Sequence, residues 1–207
     1  MEPRWLTYGK RLQAIASTGL HFARDQFDRE RYDEIASIAN EMLAKLGNVP
    51  VERIEGLLSD FAGGYATPKV DVRGAIVEGD KVLLVREKSD DRWALPGGFA
   101  EVGLSAAQNI EKELYEEAGL KVSVRRLYGV RHKASSSYSP DVRDFYKIFF
   151  LCDRVAGGEV QPRLGTSEAL FFEKNKLPTL SRARTIERDV EAAFEYATDA
   201  NRPAFFD

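Results

Sequence analysis

The sequence predicts an α/β (α+β) fold, in which a mixed sheet lies between helices and follows a small N-terminal helical domain. Apolar residues recur at helical spacing over roughly residues 1–62, and strand-like patterns dominate after that point. One helix with marked ends interrupts the strands, and a second amphipathic helix follows the last strand. This order favours a sheet sandwiched between helices, although the pattern alone leaves several α/β and α+β arrangements open.

Three short helices account for the first domain, which we place at residues 1–66. Asp28 is a plausible N-cap for the second helix and Gly47 a plausible stop, and the third helix follows Pro50. Their apolar positions are Trp5, Tyr8, Leu12 and Ile15, then Tyr32, Ile35, Ile38 or Ala39, Met42 and Leu46, then Ile54, Leu57, Leu58 and Phe61. Because so small a bundle has a thin core, we expect a packing or dimerisation module; a direct role in substrate recognition is the alternative.

The segment Ala62–Pro68 separates the two domains, because two glycines and a proline interrupt both periodicities. The second domain, residues 67–207, then alternates strands with turns. Its predicted elements are a strand at Val70–Val77 with a hairpin partner at Val82–Arg86, strands at Lys121–His132, Asp144–Asp153 and Ala169–Phe172, a flexible loop at Ala134–Pro140, a turn at Gly157–Gly158, and a final helix at roughly Arg182–Thr198.

Bulk composition excludes several classes of protein. The 207 residues are 43% hydrophobic and 30% charged, which suffices for one medium domain and one small domain. A net charge of −3 is too balanced for a general nucleic-acid binder. Cys152 is the single cysteine and is expected to be a buried strand residue, so no disulfide framework is predicted. No apolar segment approaches 18 residues and the N-terminus is charged, so we expect no membrane span or signal peptide and, by default, a cytoplasmic location.

The most informative stretch is WALPGGFAEVGLSAAQNIEKELYEEAGL, from Trp93 to Leu120. Ser105 and Gln108 form a capping-box pattern that starts a helix near Ala106, and Gly119 is well placed to end it. Before this helix, the run Pro96-Gly97-Gly98 predicts a tight turn where backbone can approach a ligand.

Three carboxylates, those of Glu113, Glu116 and Glu117, share one face of this helix. Like charges at such spacing cost roughly 0.2–0.5 kcal/mol per pair, which a bound cation could offset. Oxygen-only ligands suit Mg²⁺ or Mn²⁺ rather than zinc. The alternative is an ordinary solvated acidic face.

This stretch resembles the Nudix box: Gly, five residues, Glu, seven residues, Arg-Glu, an apolar residue, any residue, Glu-Glu, any residue, Gly, and an apolar residue. Counted from Gly98, the matching positions are Glu113, Leu114, Glu116, Glu117, Gly119 and Leu120. Leu104 stands where the box has its first glutamate, and Lys112 where it has arginine. In the family those two side chains support each other, so the two departures bear on optimal catalysis and on substrate range.

The resemblance covers roughly residues 68–200 and implies the Nudix α/β/α sandwich. The helical domain is similar to the N-terminal extension of one Nudix branch, which includes CDP-choline pyrophosphatases and ADP-ribose pyrophosphatases. The resemblance to this branch implies metal-dependent hydrolysis of the pyrophosphate bond in a nucleoside diphosphate linked to X, either CDP-choline or ADP-ribose. The implied cofactor is Mg²⁺ (or Mn²⁺).

The resemblance also implies roles for single residues. Glu113 and Glu117 are expected to bind the metal directly and Glu116 directly or through water, with a carbonyl of Gly97 or Gly98 completing the shell. A general base comes from the box, where Glu116 is the candidate, or from a later loop. Glu168, just before a predicted strand, is the first late candidate and Glu159 the second, each against the alternative of an ordinary exposed glutamate. Lys112 is expected to orient the box glutamates.

Substrate phosphates need cationic partners. Seven Lys and Arg residues against two Asp residues give a net charge of +5 between Lys121 and Lys147, and Arg131 and Arg143 are the substrate-binding candidates there. Arg73 on the first strand is a candidate phosphate clamp. Tyr138 and Phe145 are candidates for stacking on a base, with a core position as the more common alternative.

We expect a homodimer that binds a small nucleotide conjugate and neither a membrane nor nucleic acid. Two other functions stay open. One is a nucleoside triphosphate or RNA 5′-end pyrophosphohydrolase, although no long basic face with interleaved aromatics supports it. The other is a non-catalytic Nudix-fold ligand sensor, which the three glutamates argue against and the two departures from the box allow. The sequence does not identify X.

Overall fold

The computed structural model describes residues 2–58, 64–155 and 158–207, and these residues form two compact units. One unit contains the residues up to Lys69 together with Pro140–Phe145, and the other contains Val70–Ser139 and Tyr146–Asp207. Residues 140–145 thus cluster with the helical unit, although the sequence-based division assigned them to the second domain. Phe61, Ala62, Gly63 and Gly157, which the sequence predictions named, lie outside the described residues.

The helical unit consists of α1 (Arg4–Phe22), α2 (Gln26–Gly47) and α3 (Val51–Leu58). α2 begins earlier than predicted, because Asp25 rather than Asp28 is its N-cap and accepts the Asp28 backbone N–H. It ends after Gly47, where Asn48 takes the left-handed conformation. The two long helices approach closely at Gly19, since an added Cβ would lie 2.3 Å from the Tyr32 ring.

The core of the helical unit is thin. Its buried cluster is Leu6, Leu43, Ala44, Ile54 and Leu58. Several large apolar side chains of the predicted helical stripes are exposed instead, among them Trp5 at 63%, Ile15 at 52% and Ile38 at 49%. No described helix has both the length and the apolar character that a membrane crossing requires.

The second unit builds two four-stranded sheets rather than one. The strands are β1 (Lys69–Ala75), β2 (Val77–Glu78), β3 (Lys81–Glu87), β4 (Trp93–Ala94), β5 (Val122–His132), β6 (Phe145–Arg154), β7 (Thr166–Glu173) and β8 (Phe205–Phe206), and the helices are α4 (Ala106–Ala118) and α5 (Glu187–Thr198). One sheet has the strand order β1-β6-β5-β8, and the other has β2-β3-β4 with β7 paired to β3. β5 pairs antiparallel with β6 and parallel with β8, so the first sheet is mixed as predicted.

Two apolar clusters confirm the α/β/α layering. Along β3, Val82 and Leu84 pack in a cluster with residues of α5, whereas Leu83 and Val85 pack in a second cluster with residues of α4. This alternation follows from the two-residue period of a strand, and it places the strands between the two helices. Cys152 is buried on β6 in the α4 cluster, as the sequence predicted.

The predicted first hairpin was wrong in its pairing. The hairpin forms only near its turn, where β2 pairs with β3 and the Leu83 N–H donates to the Ile76 carbonyl. β1 lies beside β6 in the other sheet. A local hairpin is visible in sequence, but the neighbour of β1 depends on a partner some 75 residues away along the chain. β7 is also longer than predicted, so Glu168 lies on that strand rather than in the loop before it.

The segment before α5 was predicted as helix but forms a turn. The Ser181 carbonyl accepts the N–H groups of Arg184 and Thr185, and α5 itself begins at Glu187. The buried Asp189 accepts the N–H of Ile186 and the hydroxyl hydrogen of Tyr138. The hydrogen bond from the Ile186 N–H to Asp189 closes the first turn of α5 at this point, so helical spacing alone extended the helix too far.

The loop at Ala134–Pro140 is anchored rather than freely flexible. It begins within a 3₁₀ turn at Lys133–Ser135, and its Tyr138 ring is buried at 7% exposure. Phe145 is buried too, at 3%. The burial of both aromatic residues agrees with the core position that was the more common alternative, rather than with stacking on a base.

Candidate active site

The helix α4 presents its acidic residues from a well-defined frame. Ser105 and Gln108 form the predicted capping box, and Gly119 ends the helix in the left-handed conformation. Ile110, Leu114 and Ala118 bury one face of the helix against the sheet. The acidic residues at positions 113, 116 and 117 lie on the adjoining face, about 100° around the helix, where they are half-buried.

The glycine turn is joined to both β1 and α4. The Val72 N–H donates to the Gly98 carbonyl and the Gly74 N–H to the Pro96 carbonyl, so the turn is bound along β1. The Gly97 N–H donates to Glu117 Oε2 at 2.9 Å. Gly97 has φ +139°, and an added Cβ would lie 2.0 Å from the Val72 carbonyl oxygen, so only glycine fits here.

Gly98 leaves room for a second carboxylate. A Cβ added at this position would lie 2.6 Å from Glu113 Oε1. The missing side chain is therefore what allows Glu113 to approach the turn. The structure thus brings Gly97, Gly98, Glu113 and Glu117 together, as the sequence predicted from their spacing.

The carboxylates of this site are held where ionisation is costly. Burial raises the pKa of Glu117 to about 8, against the attraction of Arg73 and the hydrogen bond from Gly97, while Glu87 and Glu113 add repulsion. Burial also raises the pKa of Glu113, and Glu116 contributes further repulsion. Perturbed carboxylates that are grouped in this way are typical of functional sites.

Lys112 lies between two carboxylates at the edge of the site. Its Nζ is 2.6 Å from Glu101 Oε1 and 3.5 Å from Glu116 Oε2. The contact with Glu116 agrees with the orienting role expected for Lys112. Glu101 was not anticipated, although an acidic residue three positions before Leu104 was a visible signal.

Arg73, which we predicted to be a phosphate clamp, is instead buried in an ion-pair network. Its Nε and Nη2 donate to the two oxygens of Asp71, each at 2.9 Å, and its Nη1 donates to the Leu95 carbonyl at 3.0 Å. Lys147 Nζ donates to the same Asp71 at 2.8 Å. With 3% of its surface exposed, Arg73 supports the glycine turn and the charge of Glu117 from behind.

The same network perturbs the ionisation of its members. Burial alone would raise the pKa of Asp71, but Arg73 and Lys147 outweigh it and hold that pKa well below its usual range. Burial lowers the pKa of Lys147 to about 8 although Asp71 favours its charged form. The sequence signal was a charged pair, Asp71 and Arg73, on one face of an apolar strand.

A further buried carboxylate, Glu87, ends β3 close to this group. Its Oε1 lies 3.1 Å from Arg184 Nε, and Arg184 also contacts Asp90, Ser89 and Ser181. Burial raises the pKa of Glu87 against the attraction of Arg184 and Arg73. Sequence reasoning missed Glu87, whose only signal was its position at the end of the apolar run VLLVRE.

The C-terminal end of α4 is capped by the segment at residues 161–166. The N–H groups of Gln161, Arg163 and Leu164 donate to the carbonyls of Ala118, Glu117 and Glu116 respectively. The buried Thr166 donates its hydroxyl hydrogen to the Glu117 carbonyl at 2.8 Å and accepts the Arg163 N–H at 3.2 Å. These are the helix carbonyls that lack partners within the helix, so the segment fixes the turn that carries Glu117.

Two substitutions at Thr166 test whether its hydroxyl group stabilises the C-terminal end of α4. Thr166→Val keeps the shape of the side chain but removes its hydroxyl, so the Arg163 N–H loses an acceptor and the Glu117 carbonyl loses a donor. The Arg163 N–H and the Glu117 carbonyl still bond to each other, so we expect a loss of about 0.5–1.5 kcal/mol in the free energy of unfolding, measured by urea denaturation. Thr166→Ser keeps the hydroxyl and should lose clearly less; equal losses would contradict this role.

The remaining predicted residues have other surroundings. Glu168 lies 2.5 Å from Arg86 on the neighbouring strand, and Glu159 is exposed. Arg131 packs over the Phe205 ring at 4.6 Å and lies near Asp189. These contacts bind Arg131 to the C-terminal part of the unit rather than to the glutamates of α4. Arg143 belongs to the helical unit, where it pairs with Asp141.

The donor chemistry of the site fits a divalent cation held by few protein ligands. Among the residues that the structure describes, no three His, Cys, Asp or Glu side chains are already placed to hold one metal ion. Glu113 and Glu117, however, are neighbouring carboxylates one helical turn apart, with raised pKa values that a cation would relieve. Mg²⁺ in particular keeps several waters and is often bound by one or two carboxylates plus substrate phosphates.

The chain is similar in sequence to two family models and to several known proteins. Residues 68–194 match the model described as the NUDIX domain, and residues 3–58 match the model described as a UDP-X-like, N-terminal oligomerisation domain. YjhB of Bacillus subtilis, whose name assigns it provisionally as an ADP-ribose pyrophosphatase, is 38% identical over 207 residues, which are 100% of this chain and 99% of that protein. The ADP-ribose pyrophosphatase of Methanocaldococcus jannaschii is 37% identical over 56% of this chain and 69% of that protein.

One solved structure is similar to this chain over almost its whole length, in agreement with the sequence comparisons. The crystal structure of a UDP-X diphosphatase has a TM-score of 0.63 and 36% identity, and the match covers 99% of this chain and 98% of that one. The resemblance that rested on the glycine turn and the acidic helix is thereby confirmed. The chain belongs to the Nudix family and is a hydrolase that acts on phosphorus-containing acid anhydrides.

Proposed function

We propose that this protein hydrolyses the pyrophosphate bond of a nucleoside diphosphate linked to X, and that it requires a divalent cation, Mg²⁺ or Mn²⁺. The observation that carries the proposal is the group formed by Glu113 and Glu117 at the glycine turn. Gly97 donates a hydrogen bond to Glu117, and Gly98 leaves space for Glu113. Two desolvated carboxylates in this arrangement suit the charge of a metal–diphosphate complex.

Separate residues of the chain are proposed to bind the cation, to support the glycine turn and to act as the general base. A divalent cation, when bound, neutralises phosphate oxygens and lowers the pKa of a bound water. Glu113 and Glu117 would hold the cation, Glu116 would contribute a third carboxylate directly or through water, and Arg73 supports the turn from the buried side. Of the three candidates for the general base, we favour Glu168, because it lies on β7 two residues after Thr166, whose hydroxyl group contacts the Glu117 carbonyl.

The names of two relatives that match over the whole chain support a choice of first substrates. One full-length relative carries the name ADP-ribose pyrophosphatase and one the name UDP-X diphosphatase. We therefore propose ADP-ribose and UDP-linked sugars as the first substrates to test, with CDP-choline next. All three contain a diphosphate between a nucleoside and a second group, so the same glutamates would serve each of them.

A product assay tests the function. Purified protein with Mg²⁺ should convert ADP-ribose to AMP and ribose 5-phosphate, CDP-choline to CMP and phosphocholine, or a UDP-sugar to UMP and a sugar phosphate. Pyrophosphate release from nucleoside triphosphates or RNA 5′ ends in place of these products would favour the second enzymatic function. Binding of these conjugates without any product would favour a ligand sensor.

We also propose that the helical unit forms a homodimer. Its exposed apolar residues include Ile38 and Leu46, each at 49%, along one side of α2. These two residues line a groove of about 350 Å³ with Trp5 and Met42. A second copy of the same unit would cover these stripes, in keeping with the family description of this region as an oligomerisation domain.

Light scattering tests the dimer. We expect twice the 23.2 kDa mass of one chain for the wild type. The double variant Ile38→Glu, Leu46→Glu should shift the mass to one chain, because two charges would then be buried in the contact. Leu170→Glu, at an equally exposed position on β7, is the matched control and should remain dimeric. A wild-type mass of one chain would contradict the proposal.

A further inference from the structure

Lys112 is shared unequally by two carboxylates. Its ammonium nitrogen lies 2.6 Å from Glu101 and 3.5 Å from Glu116. The shorter contact goes to Glu101, which lies outside the helix, and the longer one to Glu116, one turn further along α4. Leu104 is 38% exposed and has no charged group to offer in this role.

The backbone of Glu101 is fixed relative to α4 by a buried amide. Asn109, at 2% exposure, accepts the Glu101 N–H at 2.8 Å through Oδ1. Its Nδ2 donates to the carbonyls of Glu101, Leu104 and Ser105, at 3.4, 3.3 and 3.1 Å. The loop that carries the Glu101 carboxylate is therefore fastened to the same helix that carries Lys112 and Glu116.

The shorter contact with Glu101 limits how strongly Lys112 can hold the Glu116 carboxylate. Without a second partner, a lysine four residues before a glutamate on a helix pairs with it directly. Lys112 would then draw the Glu116 carboxylate to itself and neutralise it. Because Glu101 takes the shorter hydrogen bond, Lys112 restrains Glu116 only loosely, and the negative charge of Glu116 stays available beside Glu113 and Glu117.

We propose that Glu101 is a positioning residue for the hydrolytic reaction, which holds Lys112 so that Glu116 keeps its charge directed at the cation site. This inference rests on the proposed function, and it assigns a carboxylate role to a position outside the glutamates of the box. Glu101 acts through Lys112 and does not contact the reacting atoms. The pair Glu101 and Lys112 thereby offsets the presence of Leu104.

Mn²⁺ binding to the free protein, followed by the electron paramagnetic resonance signal of unbound Mn²⁺, tests this role without any turnover. Substitution of residues that contact metal ligands typically changes metal affinity by about 10–100-fold, and Lys112 is such a partner of Glu116. Glu101→Gln acts through Lys112, so it should weaken Mn²⁺ binding by about 10-fold, the lower end of that range. Glu101→Asp, which keeps the charge, should restore most of the affinity. Glu173→Gln breaks an exposed Lys–Glu pair of the same kind, with Lys176, and should bind Mn²⁺ as the wild type does.

A double-mutant cycle shows whether Glu101 acts through Lys112. In a Lys112→Met background there is no ammonium to divert, so Glu101→Gln should have no further effect on Mn²⁺ affinity. An undiminished effect in that background, or wild-type affinity in Glu101→Gln alone, would overturn the inference while the wild type still binds Mn²⁺ and forms products. A wild type that neither binds Mn²⁺ nor forms products would overturn the proposed function, and the inference with it.

Discussion

Replacement of Glu117 by glutamine is expected to lower turnover by more than about 100-fold while the protein stays folded. Residues that only contact a metal's ligands cost up to about 100-fold when they are changed, so loss of a ligand charge should cost more. The fold should survive because glutamine keeps an oxygen that can accept the Gly97 N–H. The measurement is the rate of product release at saturating substrate and Mg²⁺.

Stability without added metal gives this variant a second readout. The pKa of Glu117 is raised to about 8 in the folded protein, from an ordinary value of 4.5. Folding therefore takes up a proton between these two values, and wild-type stability should fall as the pH rises through that window. Glutamine cannot ionise, so Glu117→Gln should lack this dependence and be at least as stable as the wild type at pH 7.5.

The matched control for Glu117→Gln is Glu111→Gln on the same helix. The carboxylate of Glu111 also accepts a backbone N–H, that of Val124 at 3.0 Å, but this contact is with β5 rather than with the glycine turn. We expect turnover close to that of the wild type. If Glu117→Gln were equally active, the metal site proposed at the glycine turn would be wrong.

The largest effect on stability is expected for Asp71→Asn. Asp71 is the shared acceptor for the buried Arg73 and Lys147, and the substitution removes the carboxylate charge that pairs with both cations in the interior. Breaking a buried ion pair by removal of one partner costs about 3–5 kcal/mol. Urea denaturation should show this loss in the free energy of unfolding, and activity should fall too because Arg73 supports the glycine turn.

An exposed pair of the same chemistry provides the comparison. Asp153 pairs with Arg125, and both side chains are 46% exposed. Solvent screens this pair, so Asp153→Asn should cost no more than about 1 kcal/mol. Similar losses for the two variants would mean that the Asp71 network does not behave as a buried one.

The sequence predicted the parts of the site that depend on local spacing. The capping box, the left-handed glycine and the shared face of Glu113, Glu116 and Glu117 all follow from offsets of three and four residues along one helix. The glycines at positions 97 and 98 were identified for the same reason, since a turn without side chains is a local property. These predictions needed no knowledge of the other strands.

The errors arose where a residue's role depends on a partner far away in the chain. Arg73 appeared to be a phosphate clamp, because the sequence does not show that Asp71 and Lys147 occupy its donors. Tyr138 was a candidate for stacking on a base, because the sequence does not show its hydrogen bond to Asp189, which lies 51 positions away. Glu87 and Glu101 were missed because their importance comes from contacts with Arg184 and Lys112.

By itself, the sequence determined the α/β class, the acidic helix, the glycine turn and the family they indicate, because local periodicity and steric rules encode all of these. Only the tertiary structure decided which charges are buried, which cations are already paired and which carboxylates face one another. Those properties depend on desolvation and on contacts between strands and helices distant in sequence. Desolvation and charge pairing set whether a given Arg or Glu is free to bind substrate or is part of the framework that holds the site.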